Sequence, residues 1–450
     1  MKIAITLGTR PEIIKMASII DEINFKGHEL VFIHTGQHYD HEMSDKFFEE
    51  LELPTPNYNI CTGSGFHGEQ TGKMMEGVES VLIKEKPDIL LVQGDTNTVL
   101  SGALVASKLH IPVGHVEAGL RSYDITMSEE INRKTADVCS KYYFVPTEKA
   151  AINLSVEGVS RKDIFITGNT VVDACFRNLK IVKKHLKKKN LSFQNDSEKL
   201  ELDELLKLDN VLTLTIHRAE NVDNKERLLE IIKALVELRD LNIVFPIHPR
   251  TKKNMEKFGL YDKLANLDHI HFIKPLGYLN FLFLMSKSLI ILTDSGGIQE
   301  EAITLDIPVL TLRYNTERHE TVTAGGNILI GAKKDIIIDT TNKVLNDTKF
   351  YDKMSLAENP YGDGSSGKQI INIIEDSYER GECTLISPDH ISTVFNTLMT
   401  VIDENITVHD FEKKNNALIR TVFSEKDKSM KFPVDNLCLN GMQILHDKFS

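Results

Sequence analysis

The side chains that could do chemistry in this 450-residue chain mostly follow short apolar runs. Gly8–Thr9–Arg10–Pro11–Glu12 comes first, with Lys15 one turn later. Proline pre-organises a helix start. That start can hold an anion on its free N–H groups, and Arg10 adds a guanidinium fork suited to phosphate. Asp95 follows the run Ile89–Gln93, which aims its side chain beyond a strand end; a plain helix N-cap would place an aspartate equally well. Glu117, within His115–Ser122, ends another apolar run beside small residues that leave room for a ligand. Glu129 and Glu130 are adjacent, just before Arg133, where ordinary helix-start charges also occur.

The second half supplies cations and donors. His217–Arg218–Ala219–Glu220–Asn221 lies at a strand end, and His248–Pro249–Arg250 follows another. Asp294–Ser295–Gly296–Gly297 combines a strand end, a hydroxyl and two glycines opening a helix. Glycines let an anion reach the N–H groups, and Glu301, expected in the first helical turn, could hold a ribose diol. Arg313 and Thr316–Glu317–Arg318 follow the next strand. Acidic sites in one half and a diphosphate cradle in the other suit a nucleotide sugar whose sugar faces the first half. No DxD-like pair is poised to hold a metal, so no metal or cofactor is expected and basic side chains must neutralise the diphosphate.

These clusters need a scaffold that brings strand ends together. Apolar runs at 3–7, 30–34, 89–93, 113–116, 142–146 and 164–167 alternate with amphipathic helical stretches. Nearly continuous apolar strands between helices mean a parallel sheet covered on both faces. The alternation stops near Ala174, crosses a polar stretch with a basic run at 183–189, and restarts at Val211. The expected architecture is α/β, with two Rossmann-like domains facing across a cleft. Their expected bounds are 1–174 and 175–362. A helix over 363–380 follows, and 381–450 is an appended segment of unknown role in which 387–404 and 409–423 read as helices. Ligands of such folds sit beyond the carboxyl ends of the strands.

Two glycine-rich stretches are decoys. Residues 63–68 fit GxGxxG but lie far from the first strand–helix turn, where a dinucleotide fingerprint belongs. Residues 362–369 nearly fit a phosphate-binding loop, but Gln369 stands where a magnesium-binding hydroxyl is needed and no apolar strand precedes them. Composition narrows the classes further. With 53 basic and 65 acidic side chains the formal charge is −12, which disfavours nucleic acid as a partner. Five scattered cysteines form no CxxC pair, so neither a disulfide framework nor a zinc site is indicated. No run approaches the roughly 20 apolar residues that span a bilayer, and Arg10, Glu12 and Lys15 interrupt the first apolar stretch too early for a signal peptide. A cytoplasmic protein with no membrane partner is expected.

Taken together the motifs resemble the non-hydrolysing UDP-N-acetylglucosamine 2-epimerases, in particular their archaeal-like branch. The resemblance runs from Met1 to about Arg380. It rests on GTRPE at 8–12, TGQH at 35–38, GDTNT at 94–98, HVEAGLRS at 115–122, EEINR at 129–133, GNTVVDA at 168–174, HRAEN at 217–221, DSGGIQEEA at 294–302 and TER at 316–318. It implies a glycosyltransferase-B type fold, with the helix at 363–380 crossing back to the first domain, and a homodimer. It implies anti elimination of UDP to bound 2-acetamidoglucal, then re-addition with C2 protonated from the opposite face, in service of polysaccharide biosynthesis. Asp95, Glu117 and Glu129 would be the acid/base residues, with His217 in the catalytic group. Arg10, His217, Ser295, Gly296 and Gly297 would hold the phosphates and Glu301 the ribose, while Lys15, Arg133 and Arg318 would complete the polar site. Gln37, His38, Gln70 and His248 correspond to parts of an allosteric UDP-sugar site in bacterial relatives. Ser128 and His319 stand where the family commonly has proline. Three rival readings share many of these features: a hydrolysing epimerase, an epimerase of UDP-2,3-diacetamido-glucuronate, and a non-catalytic UDP-sugar sensor.

Overall fold

The computed structural model describes residues 1–36, 41–187, 204–205 and 207–383. Gln37, His38 and the helices expected at 387–404 and 409–423 lie outside the described residues. Two parallel sheets organise the chain. The first has seven strands in the order β3-β2-β1-β4-β5-β6-β7. They are β1 (Lys2–Leu7), β2 (Glu29–His34), β3 (Tyr58–Asn59), β4 (Ile89–Gln93), β5 (Val113–Val116), β6 (Tyr142–Val145) and β7 (Ile164–Ile166). The second has six in the order β10-β9-β8-β11-β12-β13. They are β8 (Val211–Thr215), β9 (Asn242–Pro246), β10 (Ile270–Ile273), β11 (Ile290–Thr293), β12 (Val309–Thr311) and β13 (Asn327–Leu329). Each order reverses direction once, between β1 and β4 and between β8 and β11, and the reversal opens a crevice at the strand ends.

Helices cover both faces of each sheet because the strands are apolar on both. Ile3, Ile5 and Leu7 of β1 are fully buried and pack with Ile13, Met16, Ile20 and Ile23 of the helix Arg10–Phe25. At roughly 1.5–3 kcal/mol per fully buried aliphatic side chain, this layer contributes heavily to the first core. The second core gathers Leu212, Leu214, Phe245 and Leu292 against Ile231, Leu235 and Ile337.

The helix Thr170–Lys187 bridges the two cores. Ala174 packs into the first and Cys175, one residue on, into a cluster with Leu282, Ile291 and Ala302 under the second sheet. The polar stretch after Ala174 is therefore helical as far as Lys187. The helix Ser366–Glu379 then returns: Ile370, Ile371 and Ile374 bury among the residues of the first core. Its N-terminus explains why 362–369 is no phosphate loop. The N–H groups of Ser366 and Gly367 donate to Asp173 at 3.2 and 2.9 Å, so an internal carboxylate already occupies the place of an anion.

Candidate active site

The turn after β1 is built around a missing side chain. A Cβ on Gly8 would lie 2.1 Å from Thr98 Oγ1 and 2.4 Å from Thr35 Oγ1, so only glycine fits. Behind it the buried Glu12 accepts the N–H groups of Gly8 and Thr9, both at 2.7 Å, and the Thr96 hydroxyl. Part of the helix start expected to hold an external anion is thus filled by the chain's own carboxylate. Burial raises the Glu12 pKa, against the pull of these donors. Arg10 stays exposed, its guanidinium 5.2 Å from the centre of the Phe47 ring.

Glu117 follows β5 with φ of +69°, a left-handed conformation costly for a non-glycine residue and common at functional sites. Its buried carboxylate pairs with Lys15 Nζ at 2.6 Å, and Gln93 donates to the same oxygen. Burial alone would raise its pKa. The charges of Lys15 and Arg318 outweigh that penalty and hold it below the usual carboxylate range. Asp95 leaves the end of β4 through Gly94, whose φ is +85°. Its Oδ2 pairs with Arg133 at 2.5 Å, and Asn132 Nδ2 donates to its carbonyl at 3.0 Å.

Arg133 has a second partner, Glu130, at 2.6 Å. Of the adjacent acids, Glu130 is buried and also accepts the N–H and hydroxyl of Ser122, both at 2.9 Å. Glu129 is exposed at the helix start and accepts the Ser128 hydroxyl at 3.0 Å. Gln70 belongs to a chain of amides: it accepts from Asn97 at 3.0 Å and donates to the Gly63 carbonyl at 2.7 Å.

Across the cleft, Asp294 is fully buried and organises the turn after β8. It accepts the N–H groups of His217 and Arg218 and the side-chain amide of Asn221 at 3.0–3.1 Å. The His217 Nδ1 lies 3.3 Å from it. Burial, then the Arg218 and His248 charges, lower the His217 pKa despite Asp294. His248 is exposed, and its Nδ1 accepts the Arg250 N–H at 3.2 Å, capping the helix Pro249–Lys257. The helix Gly296–Thr304 opens beside these groups, with Ser295 as N-cap. A Cβ on Gly297 would meet nothing within 4 Å, and one on Gly296 only Glu317 Oε2 at 3.9 Å, so its first N–H groups are approachable. Arg313 holds Glu317 with two donors at 2.8 and 3.1 Å and pushes its pKa down to about 2. Glu301 falls in the second helical turn, not the first. Burial pushes its pKa up to about 7, with the Glu300 charge adding to the rise while Tyr278 and Lys15 oppose it.

The halves meet through charge. Arg318 Nε pairs with the buried Glu300 at 2.5 Å. Lys15 senses Glu300 as well as its own partner Glu117, and Glu117 senses Arg318. Lys15 and Glu117 after the first sheet, and Glu300, Glu301 and Arg318 after the second, therefore share one electrostatic neighbourhood. Tyr361 joins them: its buried hydroxyl has no hydrogen-bond partner among the described residues, while Glu300, Arg318 and Glu117 all act on it. The sequence reading holds Glu12, Gln93 and Glu300 within its motifs without giving them a role, and it does not name Tyr361. A capping-box spacing from Thr9 to Glu12 was the available signal for the first. Among the described residues no cluster of three or more His, Cys, Asp or Glu is arranged to hold a metal, and no helix is long and apolar enough to cross a membrane.

Comparison with known proteins gives this geometry a family. The sequence profile of the family described as UDP-N-acetylglucosamine 2-epimerase matches residues 21–375. The chain is 51% identical over 377 residues to the UDP-N-acetylglucosamine 2-epimerase of Methanocaldococcus jannaschii, covering 83% of this chain and 99% of that protein. The enzyme of the same name from Methanococcus maripaludis is 49% identical over 376 residues, covering 83% and 98%. A crystal structure of the M. jannaschii enzyme in complex with UDP-GlcNAc and UDP superposes with a TM-score of 0.68, at 50% identity, covering 83% of this chain and 99% of that one.

Proposed function

The chain belongs to the UDP-N-acetylglucosamine 2-epimerase family, and we propose that its cleft interconverts UDP-N-acetylglucosamine and UDP-N-acetylmannosamine by reversible loss and return of UDP. The C2 proton of the sugar is not acidic, so direct deprotonation is slow. Anti elimination couples its removal to departure of UDP and leaves bound 2-acetamidoglucal. Re-addition with protonation of the other face gives the epimer. Such a route needs carboxylates for both faces of the ring and a stabilised leaving group.

The observation that carries this reading is the shared neighbourhood of Lys15–Glu117 and Glu300–Arg318 across the two sheet ends. In it Glu117, held ionised by its cations, takes or returns the C2 proton on one face. Asp95 and Glu129 are the candidates for the other. His217, Arg10, Ser295 and the open N–H groups of Gly296 and Gly297 receive the diphosphate, and Glu301 receives the ribose. A relative at 50% identity was crystallised with UDP-GlcNAc and UDP, which supports the choice of ligand. The same reading carries a homodimer, which light scattering checks.

The deciding experiment is incubation with UDP-N-acetylglucosamine in D2O, followed by proton NMR. UDP-N-acetylmannosamine bearing deuterium at C2, without accumulating UDP, is expected. Free N-acetylmannosamine plus UDP would instead mean a hydrolase, and an unchanged spectrum would overturn the substrate.

A further inference from the structure

His115 sits on β5 with no exposed surface. Its Nδ1 lies 2.7 Å from Asp137 Oδ1 and its Nε2 2.8 Å from the Gly94 carbonyl oxygen. A carbonyl oxygen can only accept. Asp137 is also an acceptor: its Oδ2 pairs with Arg121 at 2.7 Å and takes the Gly119 N–H at 3.4 Å. A neutral imidazole has one N–H and one lone pair. Either tautomer would point that lone pair at an oxygen less than 3 Å away, inside the protein, where an unmatched polar contact is costly. Both ring nitrogens must donate.

We propose that His115 is a permanently charged imidazolium and the positioning residue for the two carboxylates at the strand ends. Its Nε2–H holds the carbonyl of Gly94, the peptide from which Asp95 projects; Gly94 takes the left-handed conformation open to glycine, and the hydrogen bond fixes the direction of that peptide. Glu117 follows two residues later on the same chain, and the His115 charge acts on it to favour its ionised form. One cation thus fixes the backbone of the first carboxylate and lowers the proton affinity of the second. The groups facing the ring balance its charge. Asp137 comes from the helix Ser128–Cys139, Arg121 from the loop after β5, and Glu157 pairs with Arg121; the Tyr143 hydroxyl donates to the Asp137 carbonyl at 2.9 Å. Burial works against the imidazolium, but the Asp137 charge, its hydrogen bond and the Gly94 carbonyl outweigh it and raise the His115 pKa, against the opposing Arg121 charge.

This assignment rests on the acid/base reading of Asp95 and Glu117, and its test separates the two. In the intact enzyme with 15N-labelled histidine, proton-detected NMR at about pH 9 should show an imidazole with both nitrogens protonated, where an unperturbed ring is neutral. That signal should vanish in His115→Gln. If every histidine has an unprotonated nitrogen at that pH, the assignment is overturned, whatever the activity. Kinetically, His115→Gln should lower kcat by about 100-fold with KM within about threefold, and should move the acid limb of the pH–rate profile upward. An unchanged kcat and profile in a folded His115→Gln would overturn the positioning role. Should that variant not fold, the wild-type nitrogen count still decides. A wild-type enzyme without epimerase activity would sink the epimerase reading and the positioning role with it, and leave the charge of His115 to the same count.

Discussion

Replacing Lys15 by methionine keeps the stem that packs along the first helix and removes only the charge beside Glu117. The pair is well shielded, with side-chain exposures of 17% and 5%. At the observed 2.6 Å separation and an effective dielectric of about 20, the attraction lost is about 6 kcal/mol. Less than that reaches the carboxylate. Gln93 still donates to it, Arg318 and His115 still act on it, and water can enter beside the shorter, uncharged thioether. A residue of about 2–3 kcal/mol corresponds to about two pKa units. Glu117 starts below the ordinary carboxylate value because of its cations, so the loss moves it up toward neutrality.

The assay is the pH dependence of epimerisation, with kcat and kcat/KM measured separately. For Lys15→Met the acid limb should rise by about two units, so that activity on that limb falls by about 10- to 100-fold while activity near neutrality changes little through this effect. Near-neutral pH should recover most of that loss in kcat, because Glu117 can then ionise without help. Lys15→Arg, which returns a cation, should return the limb toward its original position. An acid limb that does not move in Lys15→Met would refute the idea that Glu117 is the ionised group and that Lys15 holds it so.

Three further perturbations probe other parts of the site. Glu301 has its pKa pushed up to about 7 by burial, so its carboxylate weakens the fold increasingly as pH rises from its unfolded value of about 4.5 to about 7. Glu301→Gln should therefore raise the melting temperature at about pH 8 by an amount equivalent to about 3 kcal/mol, change it little at about pH 4, and raise KM for the UDP-sugar. Gly8→Ala places a methyl group against Thr98 and Thr35, whose hydroxyls already bond each other at 2.8 Å; denaturant melts should show a loss of about 1–3 kcal/mol. Asp294→Ala strips the acceptor from two backbone N–H groups and the Asn221 amide, which should cost about 3 kcal/mol of stability by the same melts and raise the Kd for UDP in calorimetry.

Much of this fold was legible because its strands are apolar on both faces and end in charged or glycine-containing turns. Runs such as Ile89–Gln93 and Ile290–Thr293 announce themselves. The edge strands Tyr58–Asn59 and Asn327–Leu329 do not, since two or three residues give no pattern to read. The lysine-rich outer face of the helix Thr170–Lys187 reads as a solvated helix running into a linker, and only the buried Ala174, Cys175 and Asn178 show how it ties the two sheets together. Which of Glu129 and Glu130 turns inward depends on the phase of a helix start, and a one-residue change in phase swaps them. Partnerships such as His115 with Asp137, 22 residues apart, or Tyr361 near Glu117, depend on packing between elements and leave no local trace.

The charge arrangement also separates the two tasks of the proposed reaction. Lys15, Glu117, Arg318 and Glu300 alternate in sign and sum to zero, so together they tune proton affinity without presenting net charge to a departing diphosphate. That charge must be met elsewhere, and the second sheet supplies the place: the open helix start at Gly296 and Gly297, with His217 beside it. Burial and the Arg218 and His248 charges depress the His217 pKa. An arriving diphosphate reverses that balance, because a nearby anion favours the imidazolium. Binding of UDP should then be accompanied by proton uptake, readable as a dependence of the calorimetric heat on the ionisation enthalpy of the buffer, and His217→Asn should abolish it. UDP that binds with no such uptake would mean that His217 stays neutral and contributes only a hydrogen bond, leaving the helix start and Arg10 to carry the leaving group.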